Sequence, residues 1–497
     1  MPALSVIDLA MFVLETDERP FNIGPLIVLD PPPGFRGNFA DKLVARMLRR
    51  PLGRPFSYRL KTPLVGLPFL EVDDLANPAE HVHRLTLDAP GSMDELCAAV
   101  SRIHAVRLDR SRLLWDMYVI DGLEGGRVAI YGKVHHGIID GRTFVKVISS
   151  WLAASPKEKT VRALWEGVPR TPRQSRERAS LADRVGRALR RTAGTTASVA
   201  RLYRMLGKQA LTTAGLRSGL SLPMLGVPKA FHGKVHAERS FAFCTVPIAE
   251  VKAVGKANGA TVNDVLLTVL DLAMARLLRE RGELPGKPLV VDMPLALHDA
   301  HGGNQIAVLQ FPLGAPGLAP LKRLAAIRTE AHRVKDVLKR ESAETVMLYT
   351  TLVHGLPALV ERLGAKRGLA VSNALISNPF GLPEERYLMG ARAELVLPVS
   401  VVAAGQMLNV TAVTLADKLQ FGFLALPKAV PHVEKLAAYT VDAFEELKRA
   451  TSTTAPAPVG ARRRPPASAA KPGVAKARRT GVRATGKRRR AVAAAAK

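Results

Sequence analysis

Apolar residues recur through most of this chain in two rhythms, every second position or every third to fourth, and the rhythm stops at about residue 450. Alternating or unbroken apolar runs predict strands at 26–29, 115–120, 128–134, 240–246, 289–297, 393–397, 406–413 and 419–425. Helical spacing predicts helices at 93–108, where Leu96, Val100 and Ile103 share a face, and at 143–152, 248–258 and 431–447. A long helix is expected from Thr261 to Arg281, because Thr261-Val262-Asn263-Asp264 supplies capping residues ahead of Leu266, Leu267, Leu270 and Ala273. Strands and helices interleave throughout, which predicts an α/β protein.

The spacing divides the chain into an α/β unit at 1–152, a crossover segment at 153–235, a second α/β unit at 236–450 and a tail at 451–497. The crossover contains an apolar series, Leu181, Val185, Leu189, Val199, Leu202, Tyr203 and Leu206, on an arginine-rich background. Such a helix either covers a domain with its charged face in water or lies on an anionic membrane surface.

Charge changes the picture only once it is located. The 497 residues carry a net charge of +29, yet 13 Lys/Arg and no acids fall in 451–497, and 15 Lys/Arg against 4 acids fall in 157–217. The two α/β units are therefore close to neutral. The tail mixes Ala, Pro, Lys and Arg with almost no large apolar residues, so it cannot fold by burial. It is expected to act as a non-specific electrostatic tether to anionic lipid or DNA; without aromatics to stack bases, sequence-specific DNA binding is not expected. Two cysteines, Cys97 and Cys244, imply no disulfide framework and fit a reducing cytoplasm. The N-terminal residues lack a signal-peptide pattern. The longest apolar stretch, 395–415, is broken by Pro398, Gln406 and Asn409, so no membrane-spanning helix is expected.

Candidate chemistry sits at His135-His136-Gly137-Ile138-Ile139-Asp140-Gly141, directly after the strand at 128–134. An imidazole is the side chain whose ordinary pKa lies nearest neutrality, so it can accept a proton from an alcohol and return it to a leaving group. Adjacent residues on a strand point to opposite faces, so only one histidine can serve a given cleft. His136 is expected to be the base and His135 to face away. Asp140, before Gly141, is expected to brace the loop or orient a ring. Structural histidines or a metal site are the alternatives; no further Cys/His cluster has ligand spacing, so no metal is expected.

These residues, taken in order with others, resemble the bacterial wax ester synthase/acyl-CoA:diacylglycerol acyltransferase family. The resemblance rests on Leu4-Ser5 with Asp8, Phe12 and Glu15, then Pro20 to Gly24, Leu108 to Trp115, and the His135-His136…Asp140-Gly141 motif. It continues through Thr261 to Val265, Arg281 to Pro285, Gly303-Asn304, Ser377-Asn378, Gly390 to Arg392 and Phe421-Gly422. It implies two chloramphenicol acetyltransferase-like domains with a tunnel between them. It also implies acyl-CoA as co-substrate with no resident cofactor, and transfer of a long-chain acyl group to diacylglycerol or a fatty alcohol with His136 as base. A cytoplasmic protein held at the membrane's inner face or at lipid inclusions is expected. Asn263 is expected to donate to the oxyanion or simply to cap its helix; Asp264, Trp115 and Leu114 are expected to line the substrate tunnel. Departures from the family's pattern include Phe21-Asn22, Leu113-Leu114, the 294–298 segment, Asn378 to Gly381, Leu426 and His432. None is expected to touch the base. Two other readings remain: a non-catalytic lipid-inclusion or nucleoid scaffold tethered by the tail, and acyl transfer to an amine or polyketide alcohol.

Overall fold

The computed structural model describes residues 4, 6–64, 66–167, 198–214, 216, 222–296, 306–364, 369–379 and 381–454. Two six-stranded sheets organise them. The first runs Tyr387–Leu388, Ala391–Val399, Asn22–Asp30, Val128–His135, Trp115–Asp121, Val82–Thr86. The second runs Ser240–Pro247, Lys418–Ala425, Leu408–Leu415, Ala374–Ser377, Val290–Ala296, Ile306–Pro312. Each sheet is flanked by helices, and residues up to Thr454 form one body.

The histidine strand, Val128–His135, is buried on both faces along its whole length. That explains why neither of its faces reads as polar: it lies between Asn22–Asp30 and Trp115–Asp121 and is covered on both sides. Val128, Ile130 and Val134 pack with Trp115, Met117, Phe144 and Trp151, while Ala129 and Tyr131 face the other cluster. The helix Gly141–Trp151 lies on the first of these faces, burying Phe144, Val147, Ile148 and Trp151.

Two strands of the second half, Tyr387–Leu388 and Ala391–Val399, depart from the expected organisation. Ala391–Val399 comes from the second half of the sequence but pairs antiparallel with Asn22–Asp30, from Gly24↔Val399 to Asp30↔Arg392, and so belongs to the first sheet. The clean break at residue 235 is thus crossed by a strand that ties the halves together. Alternation reveals a strand but not its partner, which is a long-range choice. Where this strand passes the second sheet the backbones touch: a Cβ on Gly422 would lie 2.0 Å from the Pro398 carbonyl oxygen. Glycine is needed there for close approach.

The predicted helix at 93–108 is observed as Met93–Ala105, with a Ser92/Glu95 capping box at its start. The long helix is Val262–Glu280, and the final helix extends to Thr454. Pattern reading missed the helices Phe39–Met47, Pro320–Arg340 and Ala343–Arg362. Of the crossover, helix is described over 198–213; most of the 181–206 series, Gly303-Asn304, Leu297-His298, Phe380 and the tail lie outside the described residues.

Candidate active site

The strand delivers His135 as its last residue, and the next three, His136–Ile138, turn as a short 3₁₀ helix. Strand pairing and the turn together send the two rings in different directions. The His136 main-chain N–H donates to the Phe21 carbonyl at 2.8 Å, so one of the family departures does contact the residue expected to be the base, through its backbone. Asp140 then caps the following helix: its Oδ1 accepts from the Thr143 N–H at 2.8 Å and its Oδ2 from the Thr143 hydroxyl at 2.7 Å. Both oxygens are committed to the helix start, which makes Asp140 the brace of the turn.

His135 is sealed away. Its ring stacks on Phe12 at 4.3 Å between centroids, and its Nδ1 accepts from the Gly137 N–H at 3.0 Å. Nδ1 is therefore unprotonated, and Nε2 carries the hydrogen, 3.5 Å from Glu15 Oε1. Glu15 also accepts from the Phe21 N–H at 2.9 Å and from Arg110 at 2.8 Å and 3.0 Å. Burial pushes the Glu15 carboxyl up, but His135, the Phe21 N–H and Arg110 together hold it below the ordinary value of 4.5. This assembly fixes the first helix, Val6–Leu14, against the His136 turn.

His136 lines a cavity of about 350 Å³ between the two sheets. Its Nδ1 is buried without a hydrogen-bond partner among the described residues. Burial lowers the pKa of the ring below 6.5; its own carbonyl works against this, His135 reinforces it, and Asp140 and Asp8 oppose it. The ring is thus neutral near neutral pH, the form that accepts a proton. Gly141 also lines the cavity, and a Cβ there would meet nothing within 4 Å.

The opposite wall comes from the second half. Asn263 lies in the cavity wall, and the Asn378 amide donates to its Oδ1 at 2.6 Å, which leaves the Asn263 NH₂ without a partner among the described residues. Helix capping is performed by its neighbours instead: Thr261 Oγ1 accepts from the Asp264 N–H at 3.2 Å, and Asp264 Oδ2 accepts from the Thr261 N–H and hydroxyl at 2.8 Å. The capping role considered for Asn263 belongs to Thr261. Asp264, expected to bind substrate, is a buried capping residue outside the cavity wall.

Trp115 and Leu114 are likewise corrected. Trp115 is fully buried, donates from Nε1 to the Phe56 carbonyl at 2.9 Å, and stacks on Trp165. Leu114 packs with Phe12, Leu60 and Leu70. Neither lines the cavity. Residues the sequence reading did not name as site members are Arg142, Ser377, Ser400, Asn409 and Thr411, all in the wall. Asn409 donates to the Val401 carbonyl at 2.7 Å and accepts from Thr411 at 2.9 Å, so these polar groups are held in place. The Ser377-Asn378 pair was legible as a family match; the others carried no local signal. Among the described residues no group of three His, Cys, Asp or Glu gathers as metal ligands, and Cys97 and Cys244 are buried free thiols.

Comparison with known proteins agrees with this geometry. Residues 4–266 match the model of the wax ester synthase/diacylglycerol acyltransferase catalytic domain, and residues 302–448 match that of the C-terminal domain of the same family. A Mycobacterium tuberculosis protein named "Probable diacyglycerol O-acyltransferase Tgs4" is 31% identical over 472 residues, covering 92% of this chain and 98% of its own. Among solved structures, the wax ester synthase/diacylglycerol acyltransferase of Marinobacter aquaeolei VT8 superposes with a TM-score of 0.69 at 24% identity, over 91% of this chain and 100% of that one. The first condensation domain of the calcium-dependent antibiotic synthetase superposes with a TM-score of 0.55 at 16% identity, over 91% and 97%. These structural likenesses establish the acyltransferase fold with two domains.

Proposed function

The chain belongs to the wax ester synthase/diacylglycerol acyltransferase family and is an acyltransferase; from that premise we propose that it moves a long-chain acyl group from acyl-CoA to the hydroxyl of diacylglycerol or of a long-chain alcohol, with His136 as general base. The observation that carries this reading is the His136 residue in the wall of a cavity lined mainly by apolar side chains from both halves.

The residues support a stepwise account. His136 Nε2 takes the proton of the acceptor hydroxyl as its oxygen attacks the thioester carbonyl. The negative charge moves to the carbonyl oxygen, where the uncommitted amide of Asn263 is the candidate donor, held by Asn378. Collapse of the tetrahedral intermediate breaks the carbon–sulfur bond. The departing thiolate takes the proton back from the imidazolium, which restores the neutral base. His135, Glu15 and Arg110 position the turn; Asp140 anchors its other end. The apolar wall suits an acyl chain and excludes water, which would otherwise compete as acceptor.

The relatives' printed activity supports diacylglycerol as acceptor, and the family's name supports a fatty alcohol equally. The scaffold alternative lacks support, because it leaves the cavity-facing imidazole without a task. Association with a membrane or lipid inclusion on the cytoplasmic side belongs to the same reading, since both acceptors partition into lipid; among the described residues no helix is long and apolar enough to cross a membrane.

The test is turnover of radiolabelled palmitoyl-CoA with dioleoylglycerol or hexadecanol, wild type against His136→Ala. The expected loss is about 10²–10⁴-fold in kcat. Equal ester formation by the two proteins would overturn the assignment. A screen of amines alongside the alcohols separates this reading from transfer to another acceptor class.

A further inference from the structure

The helix Ala343–Arg362 is apolar on both sides. Between Glu344 and Glu361 it carries no Asp, Glu, Lys or Arg. Its inner face buries Val346, Tyr349, Val353 and Ala358 in the body of the protein. Its outer face is a row of leucines one helical turn apart: Leu352 is 48% exposed, Leu356 43%, Leu359 48% and Leu363 79%. A surface helix ordinarily places polar residues on the solvent side, and one that is apolar all round is normally buried. The exposure does not come from a loosely held element. Glu361 forms a buried ion pair with Arg19 at 2.9 Å, and Arg362 donates to the Glu15 carbonyl at 3.4 Å, so the helix is fastened beside the segment that fixes the His136 turn.

What covers this row is indicated by its surroundings. The helical stretch at 198–213 packs against the same helix through Gln209 and Tyr349, and it exposes Tyr203 at 72% and Leu211 at 46%. It also carries Arg201, Arg204 and Lys208 at its surface, none of them in an ion pair with a described residue. Leucines and a tyrosine next to unpaired cations match an interface with hydrocarbon below and anionic headgroups above. A second protein copy would offer the apolar half of that match but not a reason for the cationic rim.

We propose that the leucine row of the Ala343–Arg362 helix is the face by which this protein docks on a phospholipid surface bearing anionic headgroups, with Arg201, Arg204 and Lys208 at the rim. The choice of lipid as occupant rests on the acyltransferase reading above; the placement of the face does not. Docking here sets Val6–Leu14, which contacts both this helix and the His136 turn, close to the lipid from which a water-insoluble acceptor must be drawn.

The test uses the full chain and vesicle flotation. Wild-type protein is expected to float with phosphatidylcholine vesicles at high salt, where the basic tail contributes little, and more strongly with added phosphatidylglycerol at low salt. Leu352→Glu/Leu359→Glu is expected to weaken binding to phosphatidylcholine roughly tenfold or more. Its turnover of a water-soluble short-chain acyl-CoA and alcohol should match wild type, which separates failure of the face from failure of the chemistry. Should that double variant misfold by circular dichroism, Leu363→Glu, at the most exposed position, is read instead. Unchanged flotation of the variants, or no wild-type flotation at high salt, overturns the proposal. So does a wild-type dimer that the variants convert to monomer while vesicle binding persists.

Discussion

On the wall supplied by the first sheet sits the His136 imidazole, with Ser400 just past the strand that pairs with 22–30; on the facing wall, carboxamides and hydroxyls arrive from 263, 377–378 and 409–411. The first wall is stiff because its supports are buried and mutually bonded: His135 on Phe12, Glu15 on Arg110, Asp140 on Thr143. The second is polar and open, with the Asn263 amide free to find a partner. The difference divides the labour. In the proposed mechanism, one side fixes the group that moves the proton, and the other offers donors where charge develops.

Removing a support from the stiff wall should cost stability more than chemistry. Glu15→Ala removes the carboxylate that the half-buried Arg110 and the Phe21 N–H donate to and that lies beside the buried His135 Nε2, and a loss of about 1–3 kcal/mol is expected from urea unfolding. The sign with pH follows from the lowered carboxyl: its contribution is full above the ordinary value of 4.5 and is lost as pH falls through the depressed value, so wild type and Glu15→Ala should converge in acid. Divergence in acid would show that Glu15 is not paired as described.

The open wall should respond in the opposite way. Asn263→Ala is expected to lower kcat by about 10²–10³-fold with little change in unfolding midpoint, if its amide serves the oxyanion. A large stability loss with normal kcat would return Asn263 to a structural role. The smallest effect is expected at the turn's far anchor. Asp140→Ala should cost about 1 kcal/mol of stability, the usual value of a lost N-cap, and Asp140→Asn should restore most of it. A variant that is stable but as inactive as His136→Ala would make Asp140 part of the chemistry.

The same division explains what was readable in the sequence. The proposed base stood out because the strand, turn and cap that carry it lie between Val128 and Thr143, each with local signals, whereas its supports at Phe12, Glu15, Phe21 and Arg110 come from elsewhere in the chain. The capping start at 261–264 was also legible, but not the division of roles within it; moving the cap from Asn263 to Thr261 turns Asn263 into the cavity. Trp115 and Leu114 were misplaced for a related reason. Their burial depends on Trp165, Phe56 and Leu60, which lie far off in the chain and carry no pattern that announces the contact. The strand at 391–399 was legible as a strand, but its pairing with 22–30 was not, since that is decided only when the halves meet.

The most direct test of the whole account is the pH dependence of kcat/KM, because it reports the free enzyme's essential base. For wild type the acid limb should fall below pH 6.5 with a slope of one proton, set by the depressed His136 ring. An acid limb at or above 6.5, or the same limb persisting in His136→Ala, would contradict a buried neutral imidazole as the base.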